Sequence, residues 1–321
     1  MTISASVPIV EVVAAIITRP DGSFLLTSRP EGKPYAGYWE FPGGKVEKGE
    51  SLRHALSREL QEELGMQTIH AYPWITRVFT YTHATVRLHF FRVTEWHGTP
   101  QAREKQALSW QFARDVNVEP VLPANAPVLR ALLLPPVYAL TQAGEIGIAA
   151  SLTKITYALQ QGLRLIQIRE KDMPRDKLLH FSREVMARAH TYDAKVLING
   201  DTALSRELGA DGVHFTSSQL MTLATRPEFN WCGASCHNAE ELFHAAQLGL
   251  DFVVLGPVLP TLSHPDLSTL GWRKFAALIR DYSLPVYALG GLRLEDLATA
   301  QEHGGHGIAM MRGLTQETAC E

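Results

Sequence analysis

The stretch Gly44-Lys-Val-Glu-Lys-Gly-Glu50, continued by Arg58-Glu-Leu-Gln-Glu-Glu-Leu-Gly-Met66, decides the fold of the first half of this chain. Ser51 and Gly65 predict a helix over residues 51–64, because serine caps a helix N-terminus and glycine ends a helix. Leucines recur at every fourth position from residue 52 to 64 and predict one buried face. The preceding phrase Trp39-Glu-Phe-Pro-Gly43 is typical of a short strand that proline and glycine end.

Three glutamates border the predicted apolar face and are helical neighbours of one another: Glu59, Glu62 and Glu63. Like charges at such positions repel one another by a few tenths of a kcal/mol. A hard divalent cation such as Mg²⁺, which takes carboxylate oxygens as ligands, would neutralise them. The alternative is a charged helix face without a ligand, and the spacing of the surrounding residues favours the metal site. Arg58 is predicted on the opposite, solvent-facing side of the helix.

The whole stretch has the spacing of the Nudix box: glycine, five residues, glutamate, seven residues, Arg-Glu-Leu, one residue, Glu-Glu, one residue, Gly-Met. The chain therefore resembles the Nudix hydrolases, without a departure in the box. The resemblance implies hydrolysis of a nucleoside diphosphate linked to another group, with Mg²⁺ or, in its place, Mn²⁺. It also implies that Glu59, Glu62, Glu63 and the Gly43 carbonyl are metal ligands and that Arg58 orients the carboxylates.

Within the Nudix group the resemblance is to the MutT type, over nearly all of residues 8–133. Two phrases carry it, Trp39–Glu50 and Leu122-Pro-Ala-Asn-Ala-Pro-Val128. In MutT-type enzymes the asparagine of the second phrase, here Asn125, reads an oxidised guanine. The resemblance implies an 8-oxo-dGTP diphosphatase that cleans the nucleotide pool for DNA replication and repair. Its products would be a nucleoside monophosphate and pyrophosphate.

The same resemblance assigns roles to residues outside the helix. Glu104 matches a loop glutamate able to bind metal or take a proton from water, and a solvated loop is the alternative. For Asn125 the alternative is a turn-forming role, which asparagine often has. Arg29 matches an arginine near the substrate phosphate. Besides Asn125, substrate contacts are implied for Arg29, Phe41, Gly43 and Gly44.

Strand and turn signals predict an α/β fold for residues 1–133, with a mixed sheet, and the Nudix resemblance implies an α/β/α sandwich. Leu132-Leu-Leu-Pro-Pro-Val137 marks a domain boundary, because its prolines end one element before a new strand begins. In residues 137–313, strand and helix signals alternate and predict a (β/α)₈ TIM barrel. Its predicted strands are Val137–Leu140, Leu163–Ile168, Lys195–Ile198, Gly212–His214, Trp231–Ser235, Phe252–Leu255, Pro285–Leu289 and Gly307–Met310.

Phrases at the predicted strand ends resemble the thiamine phosphate synthase and TenI family across nearly the whole of residues 137–313. Examples are Gln167-Ile-Arg169-Glu-Lys171, Gly233-Ala-Ser235-Cys-His237 and Ala288-Leu-Gly290-Gly291. A glycine pair after the seventh strand suits the phosphate site of such barrels. The resemblance implies a site for a thiazole or thiamine phosphate. Its residues would be Gln167, Arg169, Lys171, Asn199, Ser235, His237, Thr261, Gly290 and Gly291.

The barrel departs from the synthase pattern at three places. Asn199-Gly200 stands where the family has Asn-Asp, which leaves Asp201 one place later. Thr216-Ser-Ser-Gln219 replaces Gly-Gln-x-Asp, and Pro260-Thr-Leu-Ser-His264 replaces Pro-Thr-x-Thr-Lys. Without metal carboxylates, a departing pyrophosphate lacks charge compensation, so we expect no synthase activity. His237 matches the proton carrier of TenI-like tautomerases, and a ligand-sensing or structural barrel is the alternative.

Composition limits the function classes. The chain has 321 residues, of which 45% are hydrophobic and 20% charged, and a net charge of −3, so no basic field for duplex nucleic acid is expected. Its apolar runs are too short for a membrane helix, and its start lacks signal-peptide features. Cys232, Cys236 and Cys320 are too few for a disulfide framework. These features predict a cytoplasmic protein.

Two alternatives to the leading function remain open. The Nudix part could hydrolyse pyrophosphates of the thiamine pathway, against which the purine-reading phrase around Asn125 speaks. The barrel could be a thiazole tautomerase, or a non-catalytic module that binds a thiazole or thiamine phosphate and tunes the hydrolase.

Overall fold

A computed structural model describes residues 9–261 and 268–312 of the chain. Contacts divide the chain into two compact units, the first running to Leu133 and including Arg280–Ser283, and the second containing the remainder from Leu134. Pro8, Ser263, His264 and Cys320, which the sequence interpretation mentioned, lie outside the described residues. Within those ranges, no helix is both long and apolar enough to cross a membrane.

The first unit combines two sheets with helices. Strand β1 pairs in parallel with β5, which pairs antiparallel with β4, so this sheet is mixed as predicted. Strand β2 lies between β3 and β6 in a second, antiparallel sheet. The elements are β1 Ile9–Ile17, β2 Phe24–Ser28, β3 Trp39–Glu40, α1 Leu52–Leu64, β4 Gln67–Thr80, β5 Thr85–His97, β6 Leu108–Gln111 and α2 Ala126–Ala131.

Strand β1 contributes to hydrophobic cores on both of its faces. Val13 and Ala15 are fully buried in the cluster that contains the leucines of α1. Ala14 and Ile16 point the other way, into the cluster that contains Val128 of α2. Because successive side chains of a strand alternate between faces, one strand separates two helical layers. The predicted α/β/α sandwich is confirmed.

Helix α1 has the predicted limits. The Ser51 hydroxyl accepts a hydrogen bond from the His54 amide at 3.3 Å, and Gly65 ends the helix in the left-handed conformation with φ of +68°. A side chain is disfavoured there, which explains the glycine. Leu56, Leu60 and Leu64 are buried, as the four-residue spacing predicted. The helix is thus fixed at both ends and along one face.

The second unit is a closed barrel of eight parallel strands, as predicted. Predicted and observed strand limits agree within two residues. The strands are β7 Val137–Leu140, β8 Leu165–Ile168, β9 Lys195–Asn199, β10 Gly212–Phe215, β11 Trp231–Cys236, β12 Phe252–Leu255, β13 Val286–Leu289 and β14 Gly307–Met310. The helices are α3 Ala143–Ile146, α4 Ile148–Gln160, α5 Arg175–His190, α6 Thr202–Leu208, α7 Ser217–Leu220, α8 Ala239–Gln247, α9 Gly271–Ile279 and α10 Leu297–Glu302.

Candidate active site

The glycine-rich loop before α1 is held along strand β1 by backbone hydrogen bonds. The Val13 amide donates to the Gly44 carbonyl at 2.9 Å, and the Ala15 amide donates to the Pro42 carbonyl at 2.8 Å. Gly43 has a φ of +146°, and a Cβ at this position would overlap the Val13 carbonyl oxygen. Only glycine can therefore follow this path so close to the strand.

The glycine pair also contacts two glutamates of α1. The Gly43 amide donates to Oε2 of Glu63 at 3.2 Å. A Cβ on Gly44 would overlap the carboxylate of Glu59, so that carboxylate lies directly against the loop backbone. Strand β1, the loop and α1 are in this way joined at one point. The Nudix resemblance implied a metal-binding role for the Gly43 carbonyl, whereas the contact seen here is made by the Gly43 amide.

Arg58 is not on the solvent-facing side of α1, and the prediction that placed it there is wrong. Its Nε and Nη2 donate to the two oxygens of Glu50, both at 3.0 Å. Its Nη1 donates to Glu59 at 2.9 Å and to Glu62 at 3.2 Å, and Nη2 also donates to the Lys45 carbonyl at 3.0 Å. The helical projection failed because it ignores the loop that folds back over the helix. The implied role of Arg58, orienting carboxylates, agrees with these contacts.

Glu50 was not among the predicted site residues, although its fixed place in the box was a signal for it. Hydrogen bonds from Arg58 lower the pKa of Glu50 to about 2, so this carboxylate stays ionised. It grips the guanidinium with both oxygens, which is the strongest arrangement for such a pair. Glu50 therefore positions Arg58, which in turn restrains Glu59 and Glu62.

Two partly buried glutamates of α1, Glu59 and Glu63, lie close to other carboxylates. Burial raises the pKa of Glu63 to about 8, against the opposing hydrogen bond from Gly43, and the charges of Glu104, Glu59 and Glu40 raise it further. Burial also raises the pKa of Glu59, although Arg58 opposes this. Buried carboxylates that repel one another are stabilised by a bound cation.

The donor set suits a hard divalent metal, since carboxylate oxygens and a backbone carbonyl are the ligands that Mg²⁺ prefers. Within the described ranges, no three acidic, histidine or cysteine side chains are already grouped closely enough to hold a metal ion. Arg58 accounts for part of this separation, because its hydrogen bonds hold Glu59 and Glu62. The chemistry of these residues therefore suits a divalent metal. In this structure their carboxylates are not grouped around one common centre.

Glu104 belongs to a loop that is distant in sequence from α1, and it lies near Glu59 and Glu63. Its charge contributes to the raised pKa values of Glu63 and Glu59. Its carboxylate forms an ion pair with the Lys33 ammonium at 2.7 Å. Gln106, whose Nε2 donates to the Glu63 carbonyl at 2.9 Å, ties this loop to the end of α1. Lys33 was missed by the sequence interpretation, because nothing in its loop marks it.

Arg29 lies beside the same group of carboxylates. Its Nη1 donates to both oxygens of Glu40, each at 2.7 Å, and its Nε donates to the Pro34 carbonyl at 2.7 Å. Glu40, which the sequence interpretation also missed as a site residue, is one of the charges that act on Glu63. Phe41 is buried, and its ring meets that of Phe90 edge to face at 6.0 Å. Its contacts are those of a core residue.

Asn125 is buried, with 4% of its surface exposed, in a 3₁₀ turn over Pro123–Asn125. The Leu122 amide donates to the Trp39 carbonyl at 2.9 Å and so ties this phrase to β3. Among the described residues, Nδ2 of Asn125 finds no hydrogen-bond partner. An unpaired buried donor costs free energy, so such an atom points to a missing acceptor.

The interior of the barrel holds a chain of polar side chains. Gln167 Nε2 donates to the Tyr138 hydroxyl at 3.0 Å, which lies 3.3 Å from His214 Nδ1. His214 Nε2 is 3.0 Å from the Ser235 hydroxyl. Burial lowers the pKa of His214 to about 3, and the charge of Arg169 adds to this, so the imidazole is neutral. The sequence interpretation quoted His214 in a family phrase but did not assign it to the site.

His237 lies at the end of β11 and is exposed. Its Nδ1 is 2.7 Å from the Gly256 carbonyl, so this nitrogen carries the proton in the neutral ring and donates it. Its Nε2 is then the nitrogen that can exchange a proton. The other predicted barrel residues are dispersed around the strand ends: Lys171 is exposed, Asn199 and Thr261 are half-buried, and Gly290 and Gly291 have φ of +108° and +65°.

Side chains at the departures from the family pattern cap helices. Asp201 accepts a hydrogen bond from the Leu204 amide at 2.8 Å and pairs with Arg175 at 2.7 Å, so it caps α6. Gln219 forms a capping box with Thr216 at the start of α7. Its Nε2 donates to the carbonyl of Gly200 at 2.8 Å. These groups are therefore engaged within the protein.

Comparison with known proteins gives the family of each half. The description "NUDIX domain" matches residues 8–132, and "Thiamine monophosphate synthase" matches residues 137–314. A CTP pyrophosphohydrolase of Escherichia coli is 44% identical over 124 residues, which are 39% of this chain and 91% of the relative. An 8-oxo-dGTP diphosphatase of Haemophilus influenzae is 41% identical over 127 residues, 39% of this chain and 92% of the relative.

For the barrel, a putative thiamine-phosphate synthase of Aquifex aeolicus is 33% identical over 181 residues, 55% of this chain and 95% of the relative. Both resemblances drawn from the sequence are confirmed, and the first unit supports a nucleotide pyrophosphohydrolase. The chain belongs to the NUDIX family through its first unit and to the thiamine monophosphate synthase and TenI family through its second, as a fusion of the two.

Proposed function

We propose that the first unit hydrolyses 8-oxo-dGTP to 8-oxo-dGMP and pyrophosphate in a Mg²⁺-dependent reaction. The observation that favours an oxidised over an unoxidised guanine is the buried Asn125 amide, whose Nδ2 has no partner among the described residues. A relative that is 41% identical has the same activity in its name. The site residues in the Nudix box would bind the phosphates through the metal, and Asn125 would recognise the base.

The edges of the bases explain why an asparagine would select the oxidised form. Guanine presents two acceptors side by side, O6 and N7. Oxidation at C8 puts a hydrogen on N7, so the edge becomes one acceptor and one donor. An amide offers one donor and one acceptor and can satisfy both. Against unoxidised guanine one acceptor stays unmet, at a cost of about 1–3 kcal/mol.

CTP is a second candidate, because a relative that is 44% identical is named a CTP pyrophosphohydrolase. The amino group of cytosine is a donor beside the acceptor N3, so the same amide could pair with it. Asn125 therefore argues against dGTP and does not separate 8-oxo-dGTP from CTP. Rates for the purified protein with 8-oxo-dGTP, CTP, dCTP, dGTP and thiamine pyrophosphate would decide, and preference for thiamine pyrophosphate would support the thiamine-pathway alternative.

Different residues of the chain have different roles in the proposed reaction. Glu59, Glu62, Glu63 and the Gly43 carbonyl would hold Mg²⁺, which supplies positive charge for the phosphates when bound. Arg58 would keep the carboxylates in place. Arg29 would exchange Glu40 for a phosphate oxygen of the substrate, because a guanidinium binds both kinds of oxyanion.

The nucleophile of the proposed reaction is a water. Glu104 reaches the cluster from the loop after β5 and is 41% exposed, so water can approach it. An ionised carboxylate at this place can take a proton from a water as it attacks phosphorus. The attack leaves the nucleoside monophosphate and pyrophosphate as products.

We expect Asn125→Ala to lose most of its kcat/KM for 8-oxo-dGTP and much less for dGTP. The ratio of the two values should narrow at least about tenfold, since a fully paired pocket can discriminate by several orders of magnitude. Steady-state kinetics with both substrates measure it. Asn117→Ala, at an exposed asparagine, is the control and should leave the ratio unchanged. Equal losses on both substrates would show that Asn125 only shapes its loop.

We propose further that the barrel is not an active thiamine phosphate synthase. The carboxylate that remains near the altered position, Asp201, is engaged by Leu204 and Arg175. Gln219, in the altered second phrase, is a neutral amide. Without carboxylates, bound metal and its charge compensation for pyrophosphate are lost. A thiazole tautomerase that uses His237, or a ligand-sensing barrel, is the remaining choice.

The full-length protein is expected to form no thiamine phosphate from the pyrimidine pyrophosphate and the thiazole phosphate in the presence of Mg²⁺. Product detection by chromatography measures this, with an active thiamine phosphate synthase assayed in parallel. Product formed at a rate comparable to that control would contradict the proposal. In the same samples, a rise in melting temperature with thiazole phosphate would favour a binding role for the barrel.

A further inference from the structure

The loop between β2 and β3, residues 29–38, places a cation near the carboxylates of Glu104, Glu63 and Glu40. Lys33 Nζ lies 2.7 Å from Oε2 of Glu104. The base of the loop is fixed, since the Gly37 amide donates to the Arg29 carbonyl at 2.9 Å. Tyr35 anchors the loop further through its ring contact with Tyr81, with centroids 5.3 Å apart. The loop thus holds the ammonium beside the carboxylates.

The other carboxylates of the site also act on this ammonium. Burial alone would lower the pKa of Lys33, but its hydrogen bond to Glu104 and the charges of Glu104, Glu63 and Glu40 raise it above its usual value. The side chain is therefore charged at neutral pH. Lys33 lies in the combined field of three carboxylates, one of which is a proposed metal ligand, Glu63.

The contacts of Lys33 differ from those of the two arginines at the site. Arg58 is gripped by both oxygens of Glu50, and Arg29 donates to both oxygens of Glu40. The Lys33–Glu104 pair has a single contact, and its side chains are 47% and 41% exposed. Exposed single-contact pairs contribute little to stability. Of these three cations, Lys33 is the one that exchanges most easily.

We propose that Lys33 is a built-in counter-cation that competes with the divalent metal for the field of Glu104 and Glu63. The inference rests on the proposed metal site. In the metal-free protein the ammonium offsets part of the repulsion among the carboxylates. When the metal enters, two cations face the same carboxylates, and the ammonium leaves because its single contact is the weaker one. Lys33 therefore lowers the affinity of the site for metal.

The test is the affinity of the full-length protein for Mn²⁺ without nucleotide, measured by the electron paramagnetic resonance signal of free Mn²⁺. Lys33→Met should bind Mn²⁺ about two- to fivefold more tightly than the natural protein, a range set by the worth of an exposed ion pair. Lys33→Arg keeps the charge and should bind as the natural protein does. Lys48→Met removes an exposed lysine of the neighbouring loop and should also change nothing.

Lys33 contacts Glu104 directly and acts on Glu63 only through its charge. In the Glu104→Gln background, Lys33→Met should therefore give a smaller gain in Mn²⁺ affinity than in the natural protein. The inference is overturned if Lys33→Met binds Mn²⁺ equally or more weakly, or if Lys48→Met gains as much. Absence of saturable binding in every variant overturns the metal site and this inference together. A wrong choice of nucleotide substrate does not affect the result, because no nucleotide is present.

Discussion

Glu63→Gln is expected to lower kcat/KM for the preferred nucleoside triphosphate by about a thousandfold, or about 4 kcal/mol of transition-state stabilisation. Glutamine keeps the shape of the side chain and can still accept the hydrogen bond of the Gly43 amide. What it removes is a charged oxygen ligand of the proposed metal. Glu62→Gln should also reduce turnover strongly, since Glu62 belongs to the same ligand set.

Glu63→Gln should lose activity without losing stability. Burial raises the pKa of Glu63, so the fold disfavours its carboxylate form in the absence of metal, and a neutral amide avoids that cost to stability. Its melting temperature in EDTA should equal or exceed that of the natural protein. Glu47→Gln, at an exposed position in the box loop, is the control and should keep its turnover. Turnover near the natural value in Glu63→Gln would show that the metal ligands are misassigned.

Gly44→Ala is expected to reduce kcat/KM by about a hundredfold, because a displacement of about 1 Å in a catalytic group can have that effect. The new Cβ would overlap the Glu59 carboxylate. That carboxylate ends a flexible side chain, so it can move away at small cost to stability. The overlap therefore displaces a proposed metal ligand without disturbing the backbone. Steady-state kinetics and a thermal melt measure the two effects separately.

Gly49→Ala is the matched control from the same loop. Gly49 has a φ of +85°, and a Cβ there would meet nothing within 4 Å. Alanine at this conformation costs about 1–2 kcal/mol in stability, while the carboxylates stay in place. Gly49→Ala should thus melt at a lower temperature and keep its activity, the reverse of Gly44→Ala. Loss of stability without loss of activity in Gly44→Ala would contradict the contact with Glu59.

Local signals were sufficient to predict α1 and the barrel strands. Ser51 and Gly65 bracket the helix, and each buried strand of the barrel is a short apolar run between turn residues. Strand β4, Gln67–Thr80, is less evident from the sequence. Register shifts between Thr68 and Thr76 break the regular pairing with β5, so the alternation of apolar residues is blurred there.

The sequence predicted the residues of the candidate site reliably only where they belong to the Nudix box. Glu59 and Glu63 follow from helical spacing, and their elevated pKa values follow from burial that spacing does not show. Lys33 and Glu104 are 71 positions apart, so their ion pair depends on the tertiary fold. The unpaired amide of Asn125 is likewise visible only when every neighbouring polar atom has been placed.

The contact between Gly200 and Gln219 makes two positions of the barrel depend on each other. A Cβ at position 200 would lie 3.1 Å from Oε1 of Gln219, with a backbone φ of +70°. An aspartate at position 200, as in the family pattern, would therefore press against Gln219, which belongs to the capping box of α7. Replacement of Gln219 would break that capping box. Each substitution alone is thus expected to weaken the start of α7, so the residues at the two positions constrain each other.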